Sequence, residues 1–311
     1  MYGHPDNLSS RSSNLLRSRL QSVDLVWREA PSEPIFVGGT GRSGTTIAGQ
    51  LLGRHAQVGS TNPRELRFIA SFGGLADAYA GQCTPEEVIA NLRAHWYVRI
   101  KPSGARSGLF RRVSEAELDL LAADYESGFP VDPFVASRRF AETIVSSRTR
   151  RNPLSRWVDT TPANARNADR VLALFPEGKV VHMMRDGRDV AASFVSKPFG
   201  PSEVIQGLDA WRDRMIEAHR AEVNCPVGRV LRVNLEQLAS TDRDATLTQL
   251  LDFLGLPADA QLSRWFANSV VGAQVHGGRW RRDYDDAIAA AVDQRYGEIL
   301  EELDGLGVPH P

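Results

Sequence analysis

Residues 34–52 constrain this chain more than any other stretch. Pro34-Ile35-Phe36-Val37 reads as a short buried strand that runs into Gly38-Gly39-Thr40-Gly41-Arg42-Ser43-Gly44-Thr45-Thr46. Thr45 to Leu52 reads as the helix behind it. Strand, glycine turn and helix, in that order, are the setting of a phosphate-binding loop. Glycines let the backbone wrap an anion, and a helix N-terminus aims its N–H groups and positive dipole end at it. Gly39 and Gly44 bracket four residues, as in the nucleoside-triphosphate loop, but Thr45 stands where that loop carries lysine. That lysine reaches the β- and γ-phosphates, so the expected ligand lacks them. Arg42 supplies a cation inside the loop instead. A plain glycine-rich turn is the competing reading.

A second anion motif follows the apolar strand Lys179–Met184. In Arg185-Asp186-Gly187-Arg188-Asp189-Val190-Ala191-Ala192-Ser193, Arg185 ends the strand and Ser193 sits one turn into a helix predicted from Val190. Arginine offers a fork and serine a hydroxyl, a pair suited to one phosphate. The competing reading makes Asp189 a helix cap and Arg185–Asp186 a surface ion pair. Taken together, the two motifs describe a ligand with one anion in the loop and another at a neighbouring strand end.

Strands alternating with helices argue for an α/β fold with a parallel sheet flanked by helices. Arg229–Val233 reads as a further strand. Leu247, Leu250, Leu251 and Leu254 recur at helical spacing up to Gly255, and Ile288, Val292, Ile299, Leu300 and Leu303 mark a last helix ending at Gly305. Residues 77–157 form a mostly helical insertion, with capping boxes at Thr84 and Ser114 and an arginine-containing loop, 101–112, between them. The expected layout is a polar N-terminal arm, 1–32, and one domain, 33–311, whose insertion 77–157 covers the acceptor site.

With 42% hydrophobic and 24% charged residues, the 311-residue chain has the makings of a sizeable core, and its net charge of −1 gives no field towards nucleic acid. Cys83 and Cys225 are too few for a disulfide framework, which fits a reducing compartment. The N-terminus stays polar, and no run of about 18 apolar residues exists. A cytoplasmic protein without a membrane span is expected.

The two motifs resemble those of sulfotransferases that use 3′-phosphoadenosine 5′-phosphosulfate (PAPS). Gly41-Arg42-Ser43-Gly44-Thr45-Thr46 is similar to their 5′-phosphosulfate loop, in the Arg-Ser-Gly-Thr-Thr form of bacterial and tyrosylprotein sulfotransferases. Arg185 through Ser193 resembles their 3′-phosphate motif. His276-Gly277-Gly278-Arg279-Trp280-Arg281 resembles, more loosely, the late segment that closes over the nucleotide. The likeness covers roughly residues 33–75 and 157–304. It implies a P-loop NTPase-like fold, PAPS as donor, 3′-phosphoadenosine 5′-phosphate as product, and no metal. Gly41, Arg42, Ser43, Gly44, Thr45, Thr46, Arg185, Ser193, Arg279 and Trp280 are its implied nucleotide contacts. The matching position for a general base is Glu65, in Pro63-Arg64-Glu65-Leu66-Arg67, with Arg42 as its catalytic cation. An ion pair of Glu65 with Arg64 or Arg67 is the competing reading.

Cytosolic relatives use histidine as the base. His95 is the runner-up here, ahead of His55 at a helix end and His182, expected as a hydrogen-bonded core residue. In Trp157-Val158-Asp159-Thr160-Thr161-Pro162, Thr160 stands where relatives often carry lysine, so either Arg42, Arg64 or Lys197 replaces that charge or threonine donors suffice. Asp159 either orients the acceptor or caps a turn. The implied acceptor is a small-molecule, glycoside or lipid-linked hydroxyl, with no nucleic-acid partner. The rival classes are a P-loop kinase of a small hydroxyl compound and a non-catalytic nucleotide-binding module.

Overall fold

Strand β1 (Ile35–Gly39) enters the glycine loop, and helix α1 (Thr45–Leu52) leaves it, as the sequence predicts. The computed structural model describes residues 32–61, 63–100, 103–146, 156–198, 200–272 and 277–311. The arm 1–32, except Ser32, and His276 lie outside these residues. Along the chain follow β2 (Gly59–Ser60), α2 (Arg67–Ala70), α3 (Leu75–Tyr79) and α4 (Pro85–Asn91). Next come β3 (Arg99–Ile100), β4 (Arg106–Ser107), α5 (Glu115–Gly128), α6 (Pro133–Ser146) and β5 (Trp157–Asp159). The later elements are α7 (Ala168–Leu174), β6 (Lys179–Met184), α8 (Gly187–Val195), α9 (Val204–Val223) and β7 (Val230–Asn234). Helices α10 (Arg243–Leu254), α11 (Ala260–Ser269), α12 (Arg279–Asp283) and α13 (Asp286–Gly305) complete the order. Among the described residues no helix is long and apolar enough to cross a membrane.

The elements gather into two compact units. One, the loop unit, takes Ile35–Gln57, Thr160–Asp169 and Lys179–Pro311. Its strands pair in parallel, β1 with β6 from Ile35↔Lys179 to Gly39↔Met183, and β6 with β7 from Val180↔Val230 to Met184↔Asn234. Strands buried on both faces carry continuous apolar runs. Phe36, Val37, Val180 and Val181 are accordingly excluded from solvent. Because Gly39 and Met183 share a register, the loops that leave β1 and β6 emerge side by side, where ligands of parallel sheets bind.

Beside those strands, α8, α9 and α13 pack around Trp211, Leu208, Val190, Tyr296 and Ile299. Two glycines make that packing possible. A Cβ at Gly187 would lie 2.7 Å from the Trp211 ring, and one at Gly207 would lie 3.0 Å from Ala191 Cβ. Burying an aromatic or aliphatic side chain of this size is worth about 1.5–3 kcal/mol. In α13 the inward face is Val292, Tyr296, Ile299 and Leu303, while Ile288, one of the residues that mark the helix in the sequence, is exposed.

The other, the insertion unit, holds Val58–Asp159 and Arg170–Gly178. Here β2 and β5 pair in parallel and β3 and β4 form an antiparallel hairpin. That hairpin falls across the start of the stretch read from sequence as a loop. Both predicted capping boxes form. Thr84 Oγ1 accepts from the Glu87 N–H and Glu87 returns a carboxylate to the Thr84 N–H, and Ser114 and Glu117 do the same. The helices of this unit close on Phe68, Tyr125 and Phe140, with the Phe68 and Phe140 rings meeting edge to face at 6.0 Å.

Candidate active site

The loop between β1 and α1 has a backbone that few residues adopt. Gly41, Arg42 and Gly44 have φ of 82°, 59° and 92°. Among the described residues Arg42 is the sole non-glycine with positive φ, a conformation costing about 1–2 kcal/mol for a residue with a Cβ. Gly39 is demanded by closeness, since a Cβ there would lie 2.4 Å from Ser43 Oγ and 2.5 Å from the Met183 carbonyl. The loop thus folds tightly back over the end of β6.

Three of its carbonyl groups are taken up. The Thr40 carbonyl accepts from Arg214 Nη1 at 2.7 Å, the Gly41 carbonyl from Thr40 Oγ1 at 3.2 Å, and the Arg42 carbonyl from Arg185 Nη1 at 3.1 Å. The N-terminus of α1 begins at Gly44 with no side-chain cap and no acidic residue in its first turn. Ser43 is fully buried, and its Oγ has no hydrogen-bond partner among the described residues. A buried hydroxyl ordinarily has one. An uncapped helix start and an orphaned hydroxyl fit an anionic group. Thr45 is buried and Thr46 exposed.

Arginines surround the loop. Arg42 Nε donates to Ser193 Oγ at 2.9 Å, which brings the two sequence motifs into direct contact. Burial, then the charges of Arg185 and Arg279, hold the Arg42 guanidinium below its ordinary range. Arg185 is 8% exposed and lies 3.6 Å from the Asp189 carboxylate and 4.0 Å from that of Glu236. Burial pushes the Glu236 carboxyl up, against two backbone N–H groups and Arg185. Arg279 opens α12 and pairs with Asp283. The Trp280 ring is buried, with the guanidinium groups of Arg188 and Arg281 within 4.7 and 4.6 Å of its centre.

Helix α8 starts at Gly187 rather than Val190, because Asp186 caps it by accepting from the Arg188 N–H. Ser193 therefore sits nearly two turns in. Asp189 does not cap the helix; it accepts from the backbone of Gly278 and Trp280. Asp186 pairs with Arg188 at 2.6 Å rather than with Arg185.

Thr160 is buried with its methyl against α1, where a Cβ on Gly49 would come within 2.1 Å of it. His55 is buried behind α1, 2.9 Å from the Pro257 carbonyl. His182 lies in β6 with Nε2 lacking a hydrogen-bond partner among the described residues, against the expectation of a hydrogen-bonded core histidine.

Glu65 belongs to the insertion unit. Its Oε2 accepts from Arg67 Nε at 2.8 Å and Nη2 at 2.5 Å, and Arg99 Nη1 stands 3.9 Å away. The ion pair with Arg67 that the sequence offered as the competing reading is present. Burial, then Arg67, lowers the Arg99 guanidinium. Asp159, fully buried, accepts from the Leu66 N–H at 2.7 Å and so fixes the backbone beside Glu65. His95 is exposed on the turn Leu92–Tyr97.

Two contacts have no signal in the sequence. Arg214 is one arginine among several on α9, and the partners of Asp189 lie 89 and 91 residues away. Among the described residues no set of His, Cys, Asp and Glu could hold a metal ion.

A sulfotransferase family model matches residues 34–260. Among curated proteins, an uncharacterized protein of Aquifex aeolicus is 26% identical over 253 residues, covering 78% of this chain and 28% of that protein. The protein-tyrosine sulfotransferase of Drosophila melanogaster is 26% identical over 235 residues, covering 74% of this chain and 39% of that protein. The chain thus spans well under half the length of these relatives. Among solved structures, the sulfotransferase domain from the curacin biosynthetic pathway superposes with a TM-score of 0.51 at 16% identity, covering 90% of this chain and 99% of that one. A sulfotransferase from Mycobacterium avium gives 0.50 at 13% identity, covering 95% and 82%. At such identities the likeness is one of fold, a mostly parallel sheet flanked by helices of the P-loop NTPase-like kind.

Proposed function

The chain belongs to the sulfotransferase family, and we propose that it moves a sulfuryl group from PAPS to an acceptor hydroxyl. The observation that carries the donor assignment is the contact of Arg42 Nε with Ser193 Oγ at 2.9 Å, beside Arg185. One anion-binding loop and a second arginine–serine pair next to it suit a nucleotide bearing both a 5′-phosphosulfate and a 3′-phosphate.

The donor supplies a sulfur bonded to a good leaving group, the 5′-phosphate. In the proposed reaction the acceptor oxygen forms a bond to sulfur as the bond from sulfur to the phosphate oxygen breaks. The hydroxyl proton passes to Glu65, and 3′-phosphoadenosine 5′-phosphate leaves. The loop amides from Ser43 to Thr46 and Arg42 stabilise charge developing on the leaving phosphate. Arg185 and Ser193 hold the 3′-phosphate, and Arg279 adds positive charge to the nucleotide site, with Trp280 beside it. Asp159 supports the role of Glu65 by fixing the backbone of Leu66. The acceptor we propose is a small-molecule, glycoside or lipid-linked hydroxyl. The unpaired thiols of Cys83 and Cys225 support a cytoplasmic setting.

Calorimetry tests the donor. 3′-Phosphoadenosine 5′-phosphate should bind more tightly than AMP by the worth of one charge-assisted contact, about 1.5–3 kcal/mol. Arg185→Ala should remove that difference. Equal affinity of the native protein for both nucleotides contradicts the assignment. A screen of hydroxyl acceptors with radiolabelled donor then tests the transfer itself.

A further inference from the structure

A loop that grips an anion through its N–H groups must send its carbonyl groups elsewhere, and each needs a donor. Arg185 donates to the Arg42 carbonyl at 3.1 Å, and the 3′-phosphate motif accounts for its presence. The Thr40 carbonyl is held by a residue outside both motifs. Arg214, on the third turn of α9, donates Nη1 to it at 2.7 Å. Its guanidinium stacks on the Phe194 ring with 4.6 Å to the ring centre, and Phe194 directly follows Ser193. A Cβ on Gly41 would lie 3.3 Å from that ring and 3.8 Å from Arg214 Nη1, so the absence of a side chain lets the guanidinium lie flush on the loop.

We infer that Arg214 is a positioning residue of the phosphate loop, holding its Thr40–Gly41 limb as Arg185 holds its Arg42 limb. The inference rests on the nucleotide reading above. It also answers a question of charge. Thr160 brings no cation to the site; it is buried with its methyl against Gly49. Arg214 is a half-buried cation with no carboxylate hydrogen-bonded to it among the described residues. The charges that act on it are those of Arg166 and Glu217, and Glu217 is already within 3.8 Å of Arg166 Nη1. Burial, then Arg166, lowers its guanidinium. Such a cation is best matched by an anion in the loop.

Two mononucleotides separate this role from a merely structural one. AMP presents its phosphate to the loop, and adenosine 3′-monophosphate presents its phosphate to Arg185 and Ser193. Affinities of the whole chain are read by calorimetry, without turnover. In Arg214→Gln, AMP affinity should fall roughly ten- to a hundredfold, the worth of a charge-assisted contact, while adenosine 3′-monophosphate affinity stays at the native value. Arg214→Lys keeps the charge and should recover part of the loss. An unchanged ratio of the two affinities in Arg214→Gln overturns the assignment, as does a loss shared equally by both nucleotides. If the glutamine variant does not fold, the same ratio measured on Arg214→Lys decides, and a native ratio there overturns the role of the planar fork. A native protein that binds neither nucleotide refutes the reading of the site, whereas native binding with an unchanged variant refutes Arg214 alone.

Discussion

The carboxylate of Asp189 holds the backbone of Trp280. Its Oδ1 accepts from the Trp280 N–H at 3.3 Å and its Oδ2 from the Gly278 N–H at 2.9 Å, while Arg185 lies 3.6 Å from the same Oδ2. One buried side chain therefore links the arginine of the second anion motif to the segment that carries Arg279. Removing it leaves two N–H groups without their acceptor and takes a carboxylate from beside Arg185, and a buried group left unsatisfied costs about 1–3 kcal/mol. Asp189→Ala should lose on the order of 3 kcal/mol of unfolding free energy and also weaken nucleotide binding. Asp189→Asn keeps an acceptor oxygen and should lose less on both counts. Urea denaturation and calorimetry on the two variants make the comparison. An alanine variant as stable as the native protein would show that water replaces the carboxylate.

Arg42 has a cation in a backbone conformation that favours glycine. Arg42→Ala keeps a Cβ at φ 59° and loses the guanidinium, and Arg42→Gly loses the guanidinium and relieves the backbone. Both should lower turnover more than nucleotide affinity, because the loop amides remain. The glycine variant should be the more stable of the two by about 1 kcal/mol. Thermal unfolding of the pair measures the difference. Equal stability would mean that the loop rearranges when arginine leaves. Loss of binding with turnover intact would make Arg42 a ground-state contact.

The features legible in the sequence are those with local causes. The loop could be read because Gly39, Gly41 and Gly44 answer to close approach and positive φ within one short segment. Arg185 could be read because it ends an apolar run, and the caps at Thr84 and Ser114 because their partners are three residues away. The start of α8 was misplaced by three residues, since Asp186 and Asp189 are equally plausible caps until the contacts of Asp189 are seen. The β3–β4 hairpin has strands of two residues each, too short for an alternating pattern. Arg214 was invisible for another reason. Buried Leu208, Trp211 and Met215 define the inward face of α9, but periodicity does not say which flanking arginine meets a carbonyl 174 residues earlier.

His182 should make the fold acid-sensitive. Burial, and then Arg232 at the same register on β7, lowers its ring from the ordinary 6.5 to about 4. The unfolded chain then takes up a proton at a pH where the folded one refuses it. The contribution of His182 is fully present above pH 6.5 and is lost as pH falls from 6.5 towards 4. His182→Leu removes that linkage, so its stability should fall less steeply than the native protein's across this window. Chemical denaturation at a series of pH values compares the slopes. Parallel curves would mean that the ring is protonated, or solvated, in the folded state.

Glu65→Gln bears most directly on the proposed chemistry. The substitution keeps the shape of the side chain and removes its basicity. The pair with Arg67 is partly exposed, and such pairs contribute about 0–1 kcal/mol, so the fold should survive. The nucleotide contacts are made by other residues, so donor affinity should barely move. Turnover on an alkyl hydroxyl acceptor should fall by about 10²–10⁴, the usual worth of a general base. A phenol gives up its proton more readily and should lose less. Rates at saturating donor, across acceptors of graded acidity, give the dependence. Near-native turnover on the best acceptor would move the base elsewhere, with His95 next in line. A loss of donor affinity in place of turnover would make Glu65 a structural partner of Arg67 and Arg99 instead.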